Sequence, residues 1–396
     1  MSDEAEKPKD EDRKAFFGDG FFAWQGGGKT YQKEMYEATQ YNVEKYWGGF
    51  SEESVDEASY RLPDWAIGPF RKYESNPIFA PAEEGWDRGR FGGGVHNGSV
   101  VRKDGKFYYI YRGEEPLRED YWGGAEEGLT DMGAMDYICD IGVAVSSDGI
   151  HFERAAGCGQ LFRRGEDEDF SFEDVCVVKH EDTYYLYCNK WDWRDFSNPK
   201  GNGVFIATSK DLLHWVKVGL AFPEATRIHR NPCVLQNPDN EAVRANGKFV
   251  MYVNDGLIAY SDDLIHWESR EMSEFWPGGE GCFALADYSD AHPDGILLFT
   301  GGHHTGHFYA VGEVFLTKSN PEQALAWLPR PVLIAEERYP WEDARSAANP
   351  DEIISYFRDT IFFTGMTRHE GQWMAYYGGS EVYTCLALAD AKQKYG

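Results

Sequence analysis

The chain has 396 residues, enough for one large domain or two ordinary ones, and a net charge of −28 at pH 7. That acidic balance argues against a nucleic-acid or anionic-membrane binder, because phosphate surfaces attract the opposite charge. Apolar residues at 42% exclude disorder for most of the chain, and no run of about 20 apolar residues offers a membrane-spanning helix.

Residues 1–14 read as a polar, disordered acidic tail with no stretch resembling a signal peptide. Residues 15–66 read as a Gly- and aromatic-rich extension packed on the main body, with a helix-like stretch at 31–46. Its Gly26-Gly27-Gly28-Lys29-Thr30 imitates a phosphate loop, but Ala23 stands where the first Gly belongs and no apolar strand precedes it. The seven cysteines are spread widely without a CxxC pair, which suits reduced thiols in a cytoplasmic protein rather than a disulfide framework or zinc cage.

From residue 67 to 396 the chain repeats. Ser146-Ser147-Asp148-Gly149-Ile150-His151-Phe152 recurs as Ser209-Lys210-Asp211-Leu212-Leu213-His214-Trp215 and as Ser261-Asp262-Asp263-Leu264-Ile265-His266-Trp267, at spacings of 63 and 52 residues. Each copy predicts a strand, a turn whose Ser and Asp side chains bond nearby amides, and a strand opened by His and an aromatic. Three equivalent histidines read as structural, since one site does not need three copies.

A second unit, a turn feeding a half-buried strand, begins at Asp104-Gly105-Lys106-Phe107, Glu181-Asp182-Thr183-Tyr184 and Asn246-Gly247-Lys248-Phe249. Weaker copies are Asp294-Gly295-Ile296 and Gly371-Gln372-Trp373. Five copies predict an all-β, five-bladed propeller of four strands per blade. A two-sheet sandwich is the runner-up and leaves the repeat unexplained.

Propellers bind ligands in the central funnel, which the innermost strands line. Four segments supply candidates. In Gly92-Gly93-Gly94-Val95-His96-Asn97-Gly98-Ser99, followed by Tyr111-Arg112, glycine-rich backbone beside His and Asn suits close approach of a polar ligand, or else forms a turn capped by Asn. Glu173 and Asp174 open an apolar strand, where alternation puts them on opposite faces and only one toward the funnel. A carboxyl near apolar walls has the raised pKa that a general acid requires. The alternative is a solvated continuation of Glu166-Asp167-Glu168-Asp169.

Glu280 is a lone acid among glycines before the fourth blade. His303, His304 and His307 lie close in sequence, but the intervening residues give no helical i, i+4 face, so ligand hydrogen bonding by one His is favoured over zinc. No metal or cofactor is expected.

In order along the chain, Asn76-Pro77-Ile78, His96-Asn97-Gly98-Ser99 with Tyr111-Arg112, the first Ser-x-Asp turn, Glu173-Asp174, the second such turn, Asn246-Gly247-Lys248-Phe249 and Tyr377-Gly378-Gly379-Ser380-Glu381 resemble glycoside hydrolase family 130. Its members are five-bladed propellers that phosphorolyse or hydrolyse β-mannosides. The resemblance implies that Asp174 is the proton donor, acting through a sugar hydroxyl with inversion in a single displacement. Asn97 and Arg112 would hold the sugar near the cleaved bond, and Glu381 would stand where the family has an Asp reading hydroxyls.

The departures bear on the reaction. The family's Glu-Asp-Pro-Arg is here Glu173-Asp174-Val175-Cys176, and Arg230-Asn231 replaces an expected phosphate-binding Lys. A phosphate dianion needs several fixed cations, for which Arg112, Arg194 and Arg230 are the candidates. The reduced set favours hydrolysis of a glycoside or oligosaccharide over phosphorolysis with inorganic phosphate, with Glu280 as the first candidate to activate water. Inverting carboxylates normally sit about 6.5–9.5 Å apart. Tyr109, Trp191 and Trp341 would stack on sugar faces, Tyr377 would join the binding set, and His304 and Asn97 would bond hydroxyls. A non-catalytic sugar-binding propeller is the rival from another class. The N-terminal extension would cap its own funnel or, in a homo-oligomer, a neighbouring copy's; its composition chooses neither.

Overall fold

The computed structural model describes residues 60–88, 94–114, 139–163, 170–192, 198–253, 256–272, 280–304, 307–336, 338–343, 345–349 and 360–391, without the side chains of 280 and 302–308. The acidic tail, the 31–46 stretch and the glycine-rich Gly26-Gly27-Gly28-Lys29-Thr30 segment lie outside these residues.

After a short strand β1 (Arg71–Lys72), the chain builds its sheets in order. The first contains β2 (Val95–Lys103), β3 (Lys106–Glu114), β4 (Cys139–Ser146) and β5 (Glu153–Arg154). The second contains β6 (Phe170–His180), β7 (Thr183–Asp192), β8 (Gly203–Ser209) and β9 (Trp215–Leu220). The third runs β10 (Cys233–Val234), β12 (Lys248–Val253), β13 (Leu257–Ser261), β14 (Glu268–Glu271), with β11 (Arg244–Ala245) also paired to β12. The fourth contains β15 (Glu280–Ala286), β16 (Gly295–His304), β17 (His307–Thr317) and β18 (Ala326–Trp327). The fifth contains β19 (Ile361–His369), β20 (Gln372–Gly379) and β21 (Tyr383–Asp390), and β1 completes it against β21 with Arg71 opposite Leu388.

These five sheets are the predicted blades. Their first strands neighbour one another in the cycle β2, β6, β10, β15, β19 and back to β2, so the ring closes. Closure is reinforced where the strand that precedes the first blade supplies the outer strand of the last one. There Lys72 Nζ donates to Glu342 Oε2 at 2.6 Å and to the Ile334 carbonyl at 2.7 Å.

Both repeated motifs have physical roles. The turn-strand unit is a two-residue hairpin with positive φ at both turn positions in three blades, as at Asp104 (50°) and Gly105 (75°), Asn246 and Gly247, and Glu370 and Gly371. In the Ser-x-Asp turn, the Ser209 hydroxyl accepts the Leu212 amide at 2.9 Å and Asp211 Oδ1 accepts the amides of Leu213 and His214. Asp211 Oδ2 then faces exposed His214 Nδ1 at 2.7 Å, and the other two copies repeat the pattern. The three histidines are structural, as expected.

Five apolar clusters fill the spaces between neighbouring blades. Between blades 1 and 2, for example, Ile110, Val143, Phe172 and Leu186 pack together. Trp65, Ala66, Ile67 and Phe70 extend the cluster between blades 4 and 5, where Tyr288 donates to the Trp65 carbonyl at 2.8 Å. All seven cysteines are free and buried. No helix among the described residues is long and apolar enough to cross a membrane.

Candidate active site at the inner strands

The innermost strands interrupt their own ladders at one level of the ring. β2 has a register shift between His96 and Ser99, and β6 has one between Glu173 and Cys176. Asn97 and Asp174 occupy these bulges with φ of 46° and 54°, and Asn231 repeats the left-handed conformation before β10 with φ of 55°. A short polar side chain tolerates this region better than a branched one. The ladder holds on either side of each shift, so the bulge re-aims a single residue.

This overturns the alternation argument for Glu173 and Asp174. The bulge lets both carboxylates reach one guanidinium: Arg112 Nη2 lies 3.2 Å from Glu173 Oε2, and Nη1 lies 3.4 Å from Asp174 Oδ1. Arg112, on β3 opposite His96, also contacts Glu114 Oε1 at 2.7 Å. His96 Nε2 lies 3.1 Å from the same Glu114 oxygen. Asn97 Nδ2 donates to Asp174 Oδ1 at 3.0 Å, and Asn189 Nδ2 donates to Oδ2 at 3.1 Å. Asp174 is therefore surrounded by donors rather than by the apolar walls that the sequence suggested.

Trp191 Nε1 donates to Glu173 Oε1 at 2.5 Å. Burial pushes the Glu173 carboxyl up, with Asp174 adding to the effect while Arg112 and the Trp191 hydrogen bond oppose it. Glu381, in the turn between β20 and β21 with φ of 55°, is also raised, to about 7. Burial is again the largest cause; Arg112 and His96 pull it down, and Glu114 and Asp174 push it up.

Glycines let blade 5 approach blade 1. A Cβ on Gly378 would lie 2.7 Å from Asn97 Oδ1, and one on Gly94 would lie 2.5 Å from the Glu381 carbonyl. The glycine-rich sequence before His96 thus serves backbone contact between blades as well as the site.

His96, Asn97, Arg112, Glu173, Asp174, Trp191 and Glu381 are brought together. Tyr109 and Tyr377 lie elsewhere. Tyr109 is 1% exposed in the cluster between blades 5 and 1, its hydroxyl 2.7 Å from Thr384 Oγ1, so its ring cannot stack on a sugar. Tyr377 is equally buried and donates to Glu342 Oε1 at 2.7 Å, which makes it part of the closure of blade 5. Trp191 uses its indole to hold Glu173 and is 8% exposed, leaving little surface for a ligand. Trp341 lies in a 3-10 turn, partly buried and stacked on Tyr339 at 5.1 Å, with its carbonyl against Gly379. Arg230 immediately precedes Asn231. Backbone pairing places Glu280 opposite Gly301 and His304 opposite His307; their side chains are outside the described set.

Sequence reasoning missed Glu114 and Asn189. Glu114 follows Arg112 by two residues on the same face of β3, a signal visible once Arg112 is taken as a site residue. Asn189 pairs with Glu173 as Arg112 pairs with His96, so aligning the ends of the second strands would have found it. Cys176, where the resemblance implies an Arg, accepts the Val234 amide at 3.4 Å in the packing between blades 2 and 3.

No family model matches the chain. A 1,2-β-oligomannan phosphorylase of Thermoanaerobacter sp. (strain X514) is 25% identical over 335 residues, covering 81% of this chain and 97% of the relative. The chain is similar to family 130. Among solved structures, a GH130 protein from a study of mannoside phosphorylases and glycoside hydrolases that target β-1,2 mannosidic linkages in Candida mannan has a TM-score of 0.65 at 21% identity, over 83% of this chain and 95% of that one. A glycosyl hydrolase from Bacteroides ovatus has a TM-score of 0.66 at 22% identity, over 84% of this chain and 96% of its own. The family 130 resemblance read from the ordered motifs therefore holds, and its five-bladed fold is the fold of this protein.

Proposed function

We propose that the protein is a glycosidase that cleaves a β-mannoside, with a β-1,2 linkage as the first substrate to test. One observation carries the reading: Glu114 Oε2, Glu381 Oε2, Asn97 Oδ1 and His96 Nδ1 are buried without a hydrogen-bond partner among the described residues, and all belong to the group around Arg112 and Asp174. A buried polar atom left unpaired costs about 1–3 kcal/mol. Three of these atoms are side-chain oxygens that accept, which suits a ligand that presents several hydroxyl donors. A sugar does so.

In this reading Asp174 is the general acid. Water attacks the anomeric carbon, the glycosidic C–O bond breaks, and the proton from Asp174 reaches the leaving oxygen, through a sugar hydroxyl as the family resemblance implies. Glu280 takes the proton from the attacking water. Arg112 and Asn97 hold the sugar and the acid in register, and Trp341, Arg230 and His304 complete the binding set. Tyr109 and Tyr377 drop out, being enclosed between blades.

Phosphorolysis is the alternative, favoured by the oligomannan phosphorylase that covers 81% of the chain. Electrostatics at Arg112 weigh against it. That guanidinium already faces Glu114, Glu173 and Asp174, and an added phosphate dianion meets like charge there. Seven free thiols support a reducing, cytoplasmic setting within the same proposal.

The test is incubation of β-1,2-mannobiose with the protein in phosphate-free buffer and in phosphate. Release of free mannose at equal rates in both supports hydrolysis. A mannose 1-phosphate product that requires phosphate establishes phosphorolysis instead, and no cleavage in either buffer removes the glycosidase reading for this substrate.

A further inference from the structure

At three blade junctions a residue near the end of the second strand meets the left-handed residue of the next blade. Gly378 of blade 5 abuts Asn97 of blade 1, Arg112 of blade 1 reaches Asp174 of blade 2, and Asn189 of blade 2 reaches Asn231 of blade 3. Of these three positions, the first is a glycine that allows the close approach and the second is filled by Arg112 of the proposed site. The third is filled by an amide that is 1% exposed.

We infer that Asn189 is a positioning residue that fixes the proton-donating oxygen of Asp174 and ties it to the Arg230-Asn231 loop of blade 3. This rests on the reading of Asp174 as the acid. The Asn189 side chain has two hydrogens and one oxygen, and all are committed. Nδ2 donates to Asp174 Oδ2 at 3.1 Å and to Asn231 Oδ1 at 3.0 Å, and Oδ1 accepts the Asn231 amide at 2.7 Å. The backbone N–H of Asn231 can only donate, so it dictates which end of the Asn189 amide carries the oxygen. A flipped amide would turn Oδ1 toward Asp174 and Nδ2 toward an N–H. Orientation is thereby set by the main chain of the neighbouring blade.

The consequence for Asp174 is an asymmetric carboxylate. Oδ1 faces both Asn97 and Arg112, whereas Oδ2 takes Asn189. Oδ2 keeps the less occupied lone pairs, and Asn189 determines where they point. Among the described residues, the other charged or titratable groups around Asp174 include His96 from β2, Arg112 and Glu114 from β3, Cys139 from β4, Glu173 and Cys188 from its own blade, and Glu381 from the turn after β20. Asn189 is the partner seen at Oδ2 among the described residues.

Asn189→Asp and Asn189→Ala test the inference. The Asp variant keeps the acceptor for the Asn231 amide and replaces the donor to Asp174 with a like charge; the Ala variant removes both links without adding charge. Rates of β-1,2-mannobiose cleavage are measured from pH 4.5 to 9 in the full-length protein. The alkaline limb of kcat should move to higher pH, by about one unit for Asn189→Asp, with KM within threefold and kcat at pH 7 reduced at least tenfold in both variants.

The Asp174 carboxyl is followed separately by carbon NMR without substrate, and it should titrate at higher pH in Asn189→Asp than in the native protein. An unmoved profile and an unmoved carboxyl titration in folded variants overturn the inference. A moved carboxyl titration in a protein that cleaves no glycoside sinks the functional reading and leaves the Asn189 contact standing.

Discussion

Arg112 and Asp174, 62 residues apart in the chain and on adjacent blades, meet with Nη1 3.4 Å from Oδ1. The same guanidinium faces Glu173 at 3.2 Å and fully buried Glu114 at 2.7 Å. One cation thus organises three acids from two blades, and the arrangement exists only because the bulge at Asp174 turns that residue out of its strand's alternation.

Removing the cation should be costly. In Arg112→Met the Glu114 carboxylate stays buried with His96 and the Cys139 thiol as its remaining partners. Breaking a buried pair by deleting one member costs about 3–5 kcal/mol. Urea denaturation at pH 7 should show a loss of that order. Arg112→Lys should recover little, because an ammonium is a point charge without the planar fork that serves separate carboxylates. A loss below about 1 kcal/mol for the Met variant contradicts this account.

Gly378→Ala should damage activity more than stability. The added methyl would sit 2.7 Å from Asn97 Oδ1 and 3.2 Å from His96 Cβ, displacing the side chain that donates to Asp174. A misplacement of about 1 Å costs roughly 10²-fold in rate. Steady-state kinetics on β-1,2-mannobiose should show that drop in kcat beside a small change in Tm. Full activity in the variant would mean that Asn97 does not position the acid.

Glu381 makes stability fall as pH rises. Its folded carboxyl titrates near 7, pushed up by burial, whereas an unfolded Glu titrates near about 4.3. Below both values each state holds the proton and nothing is lost. Between them the unfolded chain releases its proton and the folded protein does not, so folding stability declines, by on the order of 3 kcal/mol, and levels off above the folded value. Glu381→Gln should remove this decline, so the variant gains stability relative to the native protein between pH 5 and pH 8. A stability difference that is flat across that range contradicts the assignment.

The architecture was legible because its signals are local. The hairpin turns need positive φ, which selects Asn, Asp and Gly, and the Ser-x-Asp turns need side chains that bond their own amides. The site was legible where a residue type stood out from its repeat, as Asp174 and Arg112 do. Which face of a strand meets the funnel was not legible in Lys106-Phe107-Tyr108-Tyr109-Ile110-Tyr111-Arg112, because aromatics occupy both faces. Tyr109 therefore turned out to be interblade packing, while Arg112, on the other face, entered the site. Bulges were equally hidden: nothing in Phe172-Glu173-Asp174-Val175 announces that alternation fails there. Asn189 needed the cross-strand register, which only the folded sheet supplies.

The most direct test compares the native protein with Asp174→Asn on β-1,2-mannobiose, following the anomeric protons of the products by NMR. The native protein should release the α-anomer first, as inversion at a β-linkage requires, and the variant should turn over roughly 10²–10⁴-fold more slowly while binding the sugar within threefold of native affinity. Unchanged turnover in the variant, or a β-anomer as the first product, would contradict the account.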